Sequence, residues 1–446
     1  MMRLPALLAT LALLGASAAE PESQPAPRPN IIVILSDDHG WADLGCQGVR
    51  QDIRTPHLDA LAARGVRAAC GYVTAPQCVP SRAGLLTGRY QNRFGVENNG
   101  VALDGFDAQR TLAERLQAGG YATGMSGKWH LGAPADIPRH GFDEAACDQT
   151  GPAARYHLDA NSDAACAFIA RHKAEPFFYY LAYRAPHTPL DAPAEYTARF
   201  PGEMPGRRRQ ALAMISAIDD GVGRVLATLR EQGLEERTLI FFLGDNGAPL
   251  KIHQVDSPLS GDGGGWDGSL NAPMNGEKGM LAEGGIRVPW LASWKGTIPG
   301  GQVYPHPVIS LDIAATALAA AGLERDATID GVNLVPFFTG ASTGTPHEVL
   351  FWRWSAQSAI REGRWKLLIG GARSYLFDLE ADPGERRNLI AEQPELAKRL
   401  RARLEAWSAE LQPPGLASQP MAKTWEDYFD HYLDGKRGAT TPTIGL

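Results

Sequence analysis

The sequence predicts an α/β fold: a large, mainly parallel sheet sandwiched by helices, followed by a smaller C-terminal α+β subdomain containing an antiparallel sheet. Two observations carry this. Up to about residue 347, apolar and β-branched runs of strand length alternate with helical patterns. From about Glu348 the pattern changes to short strands around tight turns. The 446 residues suffice for one large domain, expected over residues 30–347, and a smaller one over residues 348–446.

The elements follow in order. Residues 1–19 read as a secretory signal: Arg3 is the positive end, residues 4–14 are apolar, and Ala16-Ser17-Ala18-Ala19 offers a small-residue cleavage site. The apolar run is shorter than the ~20 residues a membrane span needs. The mature chain is therefore expected to be exported, periplasmic or secreted, with no membrane span. Residues 20–29 are a Pro-rich linker. Asn30-Ile31-Ile32-Val33-Ile34-Leu35 is a strand apolar on both faces, and it ends at Ser36-Asp37-Asp38. A helix follows, with Thr55 as N-cap, Pro56 at its first position and Gly65 as its stop. Residues 112–118 are helical up to Gly119-Gly120, and a short strand over 122–126 leads to Lys128. Phe177-Phe178-Tyr179-Tyr180-Leu181-Ala182 is a buried strand leading to His187. Residues 210–232 place Ile215, Ile218, Val222, Val225, Leu226 and Leu229 at helical spacing. Leu239-Ile240-Phe241-Phe242-Leu243 is a strand that ends at Asp245-Asn246. In the C-terminal part, a hairpin turns at Glu362-Gly363, a strand covers 375–379 and a helix covers 396–411. The aromatic group Trp425, Tyr428, Phe429 and Tyr432 is expected to pack back on the body.

Formal net charge is −7, which argues against a nucleic-acid or anionic-membrane partner held by a global field. An anionic substrate needs a locally positive pocket instead. The five cysteines are an odd number for an exported protein. Pairing of Cys46 with Cys70, and of Cys147 with Cys166, stays open at this level.

The chemically suggestive residues are scattered in the chain but share one location. Asp37 and Asp38, Lys128 and His130, His187, and Asp245 and Asn246 all lie just past the C-terminal end of an expected strand. In a parallel sheet those ends form one edge, where ligands bind. Asp37, Asp38, Asp245 and Asn246 are hard oxygen donors and suit calcium or magnesium rather than zinc. A single Asp after a strand would more simply cap the next helix; two such pairs favour a metal site. Pro80 suits the first turn of a helix, so Cys78 is expected at or just before a helix N-terminus, where amide N–H groups favour negative charge. Arg82 lies one turn further on.

The segment Cys78-Val79-Pro80-Ser81-Arg82-Ala83-Gly84-Leu85-Leu86-Thr87-Gly88 matches every fixed position of the type I sulfatase signature, C-x-P-S-R followed by x-x-x-L-T-G. Gly120-Tyr121-Ala122-Thr123-Gly124-Met125-Ser126-Gly127-Lys128-Trp129-His130 resembles a second sulfatase signature. Phe242-Leu243-Gly244-Asp245-Asn246-Gly247 resembles the family's second metal half-site, and Lys278 with Glu283-Gly284-Gly285-Ile286-Arg287 its downstream lysine segment. The chain thus resembles the formylglycine-dependent sulfatases of the alkaline phosphatase superfamily over nearly its whole mature length.

The resemblance implies that Cys78 is oxidised after translation to formylglycine by a formylglycine-generating enzyme. It implies that the aldehyde hydrate is the nucleophile, and that one Ca²⁺ is held by Asp37, Asp38, Asp245, Asn246 and the modified Cys78. Arg82 and Lys128 would assist the hydrate. His187 and Lys278 would bind sulfate and protonate the leaving oxygen, with His187 favoured as acid and His130 as base. A sulfated saccharide is the expected substrate. The Gly-rich stretch over 251–275 could line the pocket mouth, with His253, Trp266 and Asp267 as substrate contacts and Trp266 stacking on a sugar ring. Two rival readings are a phosphonate monoester or phosphodiester hydrolase of the same superfamily, and a non-catalytic binder of sulfated glycans.

Overall fold

The structure, a computed structural model, describes residues 28–147, 157–250, 266–324, 326–416 and 420–436. The expected signal segment and His253 lie outside the described residues. Among the described residues, eight strands form one sheet. Their order is Glu144–Cys147, Ala122–Gly127, Phe177–Pro186, Asn30–Asp37, Thr238–Gly244, Trp290–Trp294, Val66–Ala68 and Gln302–Tyr304. The first five run parallel. Trp290–Trp294 runs antiparallel to both its neighbours.

The central strand shows why this sheet forms. Ile31, Val33 and Leu35 enter one core, Ile32 and Ile34 the other, and all five are at most 1% exposed. Branched side chains buried on both faces are what a helix-covered parallel sheet requires. Helices Cys78–Thr87, Leu112–Ala118 and Leu311–Ala320 cover one face. Helices Pro56–Ala63, Leu158–Arg171 and Gly206–Glu231 cover the other.

Helix ends obey local chemistry with two departures. Leu112–Ala118 begins with a full capping box between Thr111 and Glu114. Thr55 precedes Pro56–Ala63 as expected but does not cap it. Its Oγ1 accepts from Gly45 N and donates to Asp59 instead. Asp219, from the long helix, accepts the first amides at His57 (3.1 Å) and Leu58 (2.8 Å). That long helix also starts earlier than its apolar spacing suggests, at Gly206. Its first turn buries Arg208 against Asp43 and Asp52.

The C-terminal sheet is antiparallel: Val349–Trp354, Gln357–Glu362, Trp365–Gly370 and Arg373–Asp378. Helix Pro394–Ser408 packs on it, with Trp407 stacked 5.0 Å from Phe351. A buried ionic joint ties this sheet to the large one. Lys366, fully buried, sits 2.9 Å from both Glu283 and Glu385, and Tyr72 donates to Glu283 at 2.7 Å. Cys46, Cys70 and Cys166 are free thiols, so neither bridge considered above is present. No described helix is long and apolar enough to cross a membrane.

One joint pairs a histidine with a buried carboxylate. His347 Nε2 lies 2.8 and 3.0 Å from the two oxygens of Asp312, which also accepts from Ile309 N and Val332 N. Burial works to lower the His347 pKa, but the Asp312 carboxylate outweighs it and the net shift is upward. A raised folded-state value stabilises fully below the unfolded value, about 6.5, and that stability is lost as pH rises through the folded value. We predict that the Tm gap between wild type and His347→Gln, measured by differential scanning calorimetry, is larger at pH 6 than at pH 8.5. A constant gap would refute this linkage.

Candidate active site

The parallel strands deliver their C-terminal residues to one edge. Asn30–Asp37 ends because Asp38 turns left-handed, at φ 58°. Asp38 N donates to Asp245 Oδ1 (3.1 Å), which joins the ends of two neighbouring strands. Asp37, Asp38, Asp245 and Cys78 each place a ligand atom within 4.8 Å of the others, and all four are buried. Asn246 donates from Nδ2 to Asp38 Oδ1 (2.6 Å) and Gly247 O (3.0 Å). This fixes its amide so that Oδ1 is buried without a hydrogen-bond partner. Three carboxylates within this distance, together with a buried and unpartnered amide oxygen on Asn246, fit a hard divalent cation with oxygen ligands at 2.3–2.6 Å.

Cys78 is the first residue of its helix, and all ten residues of that helix are buried. Gln77 stands at the N-cap, but its side chain does not cap the helix; its Oε1 accepts from Asn99 N at 3.1 Å. Asn99 supplies the cap instead, accepting from Val79 N at 3.0 Å. The Sγ lies 3.4 Å from Asp37 Oδ1 and 3.5 Å from Lys278 Nζ. Burial, then the Asp37 carboxylate, pushes the Cys78 thiol well above its ordinary value. The encoded cysteine is therefore a neutral thiol and a poor nucleophile.

Four basic residues surround this centre. Lys128 Nζ contacts Asp37 Oδ2 (2.5 Å), and Lys278 Nζ contacts Asp38 at 2.7 and 2.8 Å. His187 Nε2 lies 3.7 Å from Asp38. Its Nδ1 faces the Thr188 carbonyl at 2.5 Å, so Nδ1 carries the proton and Nε2 faces the site. Arg82, fully buried, donates from Nε to Asp245 Oδ2 (2.9 Å) and from Nη1 to Lys128 O (2.7 Å). His130 is exposed and left-handed, at φ 59°.

The residues match known proteins in the same regions. The sulfatase family model matches residues 29–323. The chain belongs to the sulfatase family. A second model, described as N-sulphoglucosamine sulphohydrolase C-terminal, matches residues 276–410. Steryl-sulfatase of Mus musculus is 30% identical across 94% of this chain and 89% of its own length. N-acetylgalactosamine-6-sulfatase of Sus scrofa is 34% identical across 80% of this chain and 74% of its own. The crystal structure of Ps i-CgsB in complex with k-i-k-neocarrahexaose superposes with TM-score 0.77 at 30% identity, covering 91% of this chain and 97% of that one. The phosphonate monoester hydrolase of Agrobacterium radiobacter shares the fold, with TM-score 0.66 at 22% identity over 86% of this chain and 96% of its own. The protein is thus a type I sulfatase of the alkaline phosphatase superfamily, a sulfuric ester hydrolase.

The charges of this sulfatase site are balanced almost group for group. Burial alone would raise every carboxyl. Lys128, followed by His187, Arg82 and Lys278, instead holds Asp37 well below the usual range. Lys278 and His187 lower Asp38 as well, against its burial. Asp245 is pushed up to about 7 by burial and by Asp37, against the pull of Arg82. Burial lowers His187 to about 4 although both aspartates pull the other way. Loss of part of its hydration beside the neighbouring groups, although the residue reaches solvent, and then the charges of Lys128 and Arg82 also lower His130.

Of the residues expected from sequence, Asp37, Asp38, Cys78, Arg82, Lys128, His187, Asp245, Asn246 and Lys278 meet within this network. Trp266 does not behave as expected. Its ring is only 7% exposed and packs with Ala42, Leu250 and Leu270, while Nε1 donates to Ser269 O at 2.7 Å. Asp267 is also buried. Both stand in the wall beneath the site, not as an open sugar platform, because their segment closes over Gly40. A Cβ there would fall 2.1 Å from Leu270 O. The Asp43–Arg208 pair that anchors this segment, and Asn99, were not singled out from the sequence. Nothing in their local pattern marks them, since each acts through a contact distant in the chain.

Arg82→Met removes the cation beside buried Asp245 and one bond to Lys128 O. Breaking a buried pair in this way is expected to cost about 3–5 kcal/mol, read as a lower urea midpoint with an unchanged m-value. Arg82→Lys should recover only part, since lysine cannot reproduce the guanidinium fork. Wild-type stability in Arg82→Met would show that the pair is not what holds Asp245.

Proposed function

We propose that this sulfatase is exported and removes sulfate esters from carbohydrates, through a formylglycine made from Cys78 and one Ca²⁺ held by Asp37, Asp38, Asp245 and Asn246. The observation that carries the reading is the position of Cys78. It opens a buried helix within reach of Asp37 and Lys278, in a setting where a thiol stays inert. The N-acetylgalactosamine-6-sulfatases and the neocarrahexaose complex among the relatives support a saccharide as the sulfated alcohol. The pattern of residues 1–19 supports export.

The chain's own groups divide the work. When bound, the cation supplies Lewis-acid polarisation of sulfate, and the formylglycine hydrate supplies the attacking hydroxyl. Asn246 Oδ1 and the three carboxylates hold the ion, with Asp245 oriented by Arg82. Lys128 and Lys278 place ammonium groups where the oxygens around sulfur gather charge. The N-terminal end of the Cys78 helix adds partial positive charge at its first residue. His187 Nε2 faces the site; with Nδ1 held by the Thr188 carbonyl, it serves as acid for the leaving sugar oxygen in its imidazolium form, which the negative charge of a bound sulfate ester favours. His130, at the solvent side, is the base for the second half of the cycle.

Two experiments check this. Sulfate release is measured from a panel of defined sulfated saccharides, including carrageenan and galactosamine-6-sulfate oligosaccharides, alongside an aryl phosphonate. The protein is made in a host that forms formylglycine, and the Cys78 peptide is weighed by mass spectrometry. Sulfate release is expected from at least one saccharide, and Cys78→Ser should lose about 10³-fold or more in steady-state turnover. Phosphonate cleavage without sulfate release would overturn the reading. Separately, Ca²⁺ added to EGTA-treated protein should raise Tm. Saturation at 100 Kd corresponds to about 2.7 kcal/mol, and Asn246→Ala should blunt the response. An unchanged wild-type Tm would remove calcium from the scheme.

A further inference from the structure

The C-terminal helix Lys423–Tyr432 lies beyond the residues matched by either family model, yet it touches the loop that carries Lys278 at three alternate residues. Asn275 Nδ2 donates to Tyr432 O at 2.8 Å. The Tyr432 hydroxyl donates to buried Glu277 Oε1 at 2.9 Å, and Tyr428 also hydrogen-bonds Glu277. The Trp425 ring lies on Gly279, so closely that a Cβ at that position would fall 2.4 Å from a ring carbon. Gly279 is left-handed, at φ 89°, so both backbone and neighbour require glycine there.

The other side of the same loop faces the reaction centre. Gly279 N donates to Pro76 O (2.9 Å), two residues before Cys78, and Gly279 O accepts from Gln357 Nε2 (2.8 Å). Between these fixed points, Lys278 extends to Asp38 and to Cys78 Sγ. A flexible lysine stem carries much rotamer freedom, so its reach is set by how firmly the backbone at 277–279 is held. The helix is itself anchored to the C-terminal sheet. Phe429, fully buried, covers Gly370, and Trp425 packs edge-on against Trp354 at 4.9 Å.

We propose that this helix is a latch that positions Lys278 for the sulfatase reaction, with Tyr432, Tyr428 and Trp425 as positioning residues that touch no substrate. The proposal rests on the sulfate-ester reading above for its kinetic arm only. Misplacing a charged group by a fraction of its contact distance costs rate rather than fold.

The test compares Tyr432→Phe, Tyr428→Phe/Tyr432→Phe and Phe351→Leu in the full chain. Phe351 stacks on Trp407 in the same subdomain, and its N–H donates to the Tyr90 hydroxyl. Tyr432→Phe is expected to lower kcat for an aryl sulfate on the order of 10-fold, with KM changed less than kcat and the double variant falling further. Amide exchange over 277–281 should speed up in the same variants. Phe351→Leu should lower Tm while leaving kcat and exchange in that loop as in wild type. Loss of kcat in Phe351→Leu equal to that in Tyr432→Phe would reduce the latch to general stability. Unchanged kcat and unchanged exchange in the double variant would overturn it outright. Absence of sulfatase activity in wild type would defeat the functional reading alone, because the exchange arm still reads the latch.

Discussion

Everything at this site depends on crowding three carboxylates into a space less than 5 Å across, away from water. Asp37, Asp38 and Asp245 cannot all ionise there without nearby positive charge. The fold answers with one cation per carboxylate: Lys128 on Asp37, Lys278 on Asp38 and Arg82 on Asp245. These partners come from three separate parts of the chain. Arg82 follows Cys78 by one turn, Lys128 follows a strand, and Lys278 hangs on a loop. The requirement for charge balance thus assembles, in one place, the groups that a sulfate ester also needs.

The sheet makes such crowding possible. Neighbouring parallel strands end in register, with Ser36 opposite Gly244, so Asp37 and Asp245 emerge side by side without strain elsewhere. Of the four non-glycine residues in left-handed conformation among those described, Asp38 and His130 stand at this edge, while Ser355 and Glu385 lie in the C-terminal part. A helix N-terminus then closes the site from one face. Its first residue is the one whose chemistry matters, and its cap is lent by Asn99 from a separate loop.

Much of this was legible in the chain, for physical reasons that differ by element. The strands ending at Asp37 and Gly244 are apolar on both faces, so their composition alone marks them. The Leu112–Ala118 helix carries both of its own boundary signals. Other features were hidden because their causes are remote. The Gly206 start of the long helix depends on Arg208 finding Asp43 and Asp52 in another part of the fold. Trp266 sits in a glycine-rich stretch that reads as exposed, and only the packing of Leu270 over Gly40 shows it to be a wall. The Val349–Trp354 strand has large side chains on both faces and lacks the alternation that marks an antiparallel edge.

The joint around Lys366 has an evolutionary consequence. Lys366 and Glu385 belong to the C-terminal part, but Glu283 belongs to the segment running from Lys278 back to the large sheet. The two parts therefore cannot be exchanged among relatives as independent modules. A chimera that imported a C-terminal sheet lacking this lysine would leave buried Glu283 with the longer 3.4 Å contact to Arg287, at the root of the loop that carries Lys278. Change in the C-terminal part can accumulate on its outer surfaces and loops, while its seam with the large sheet must change together with the segment it meets.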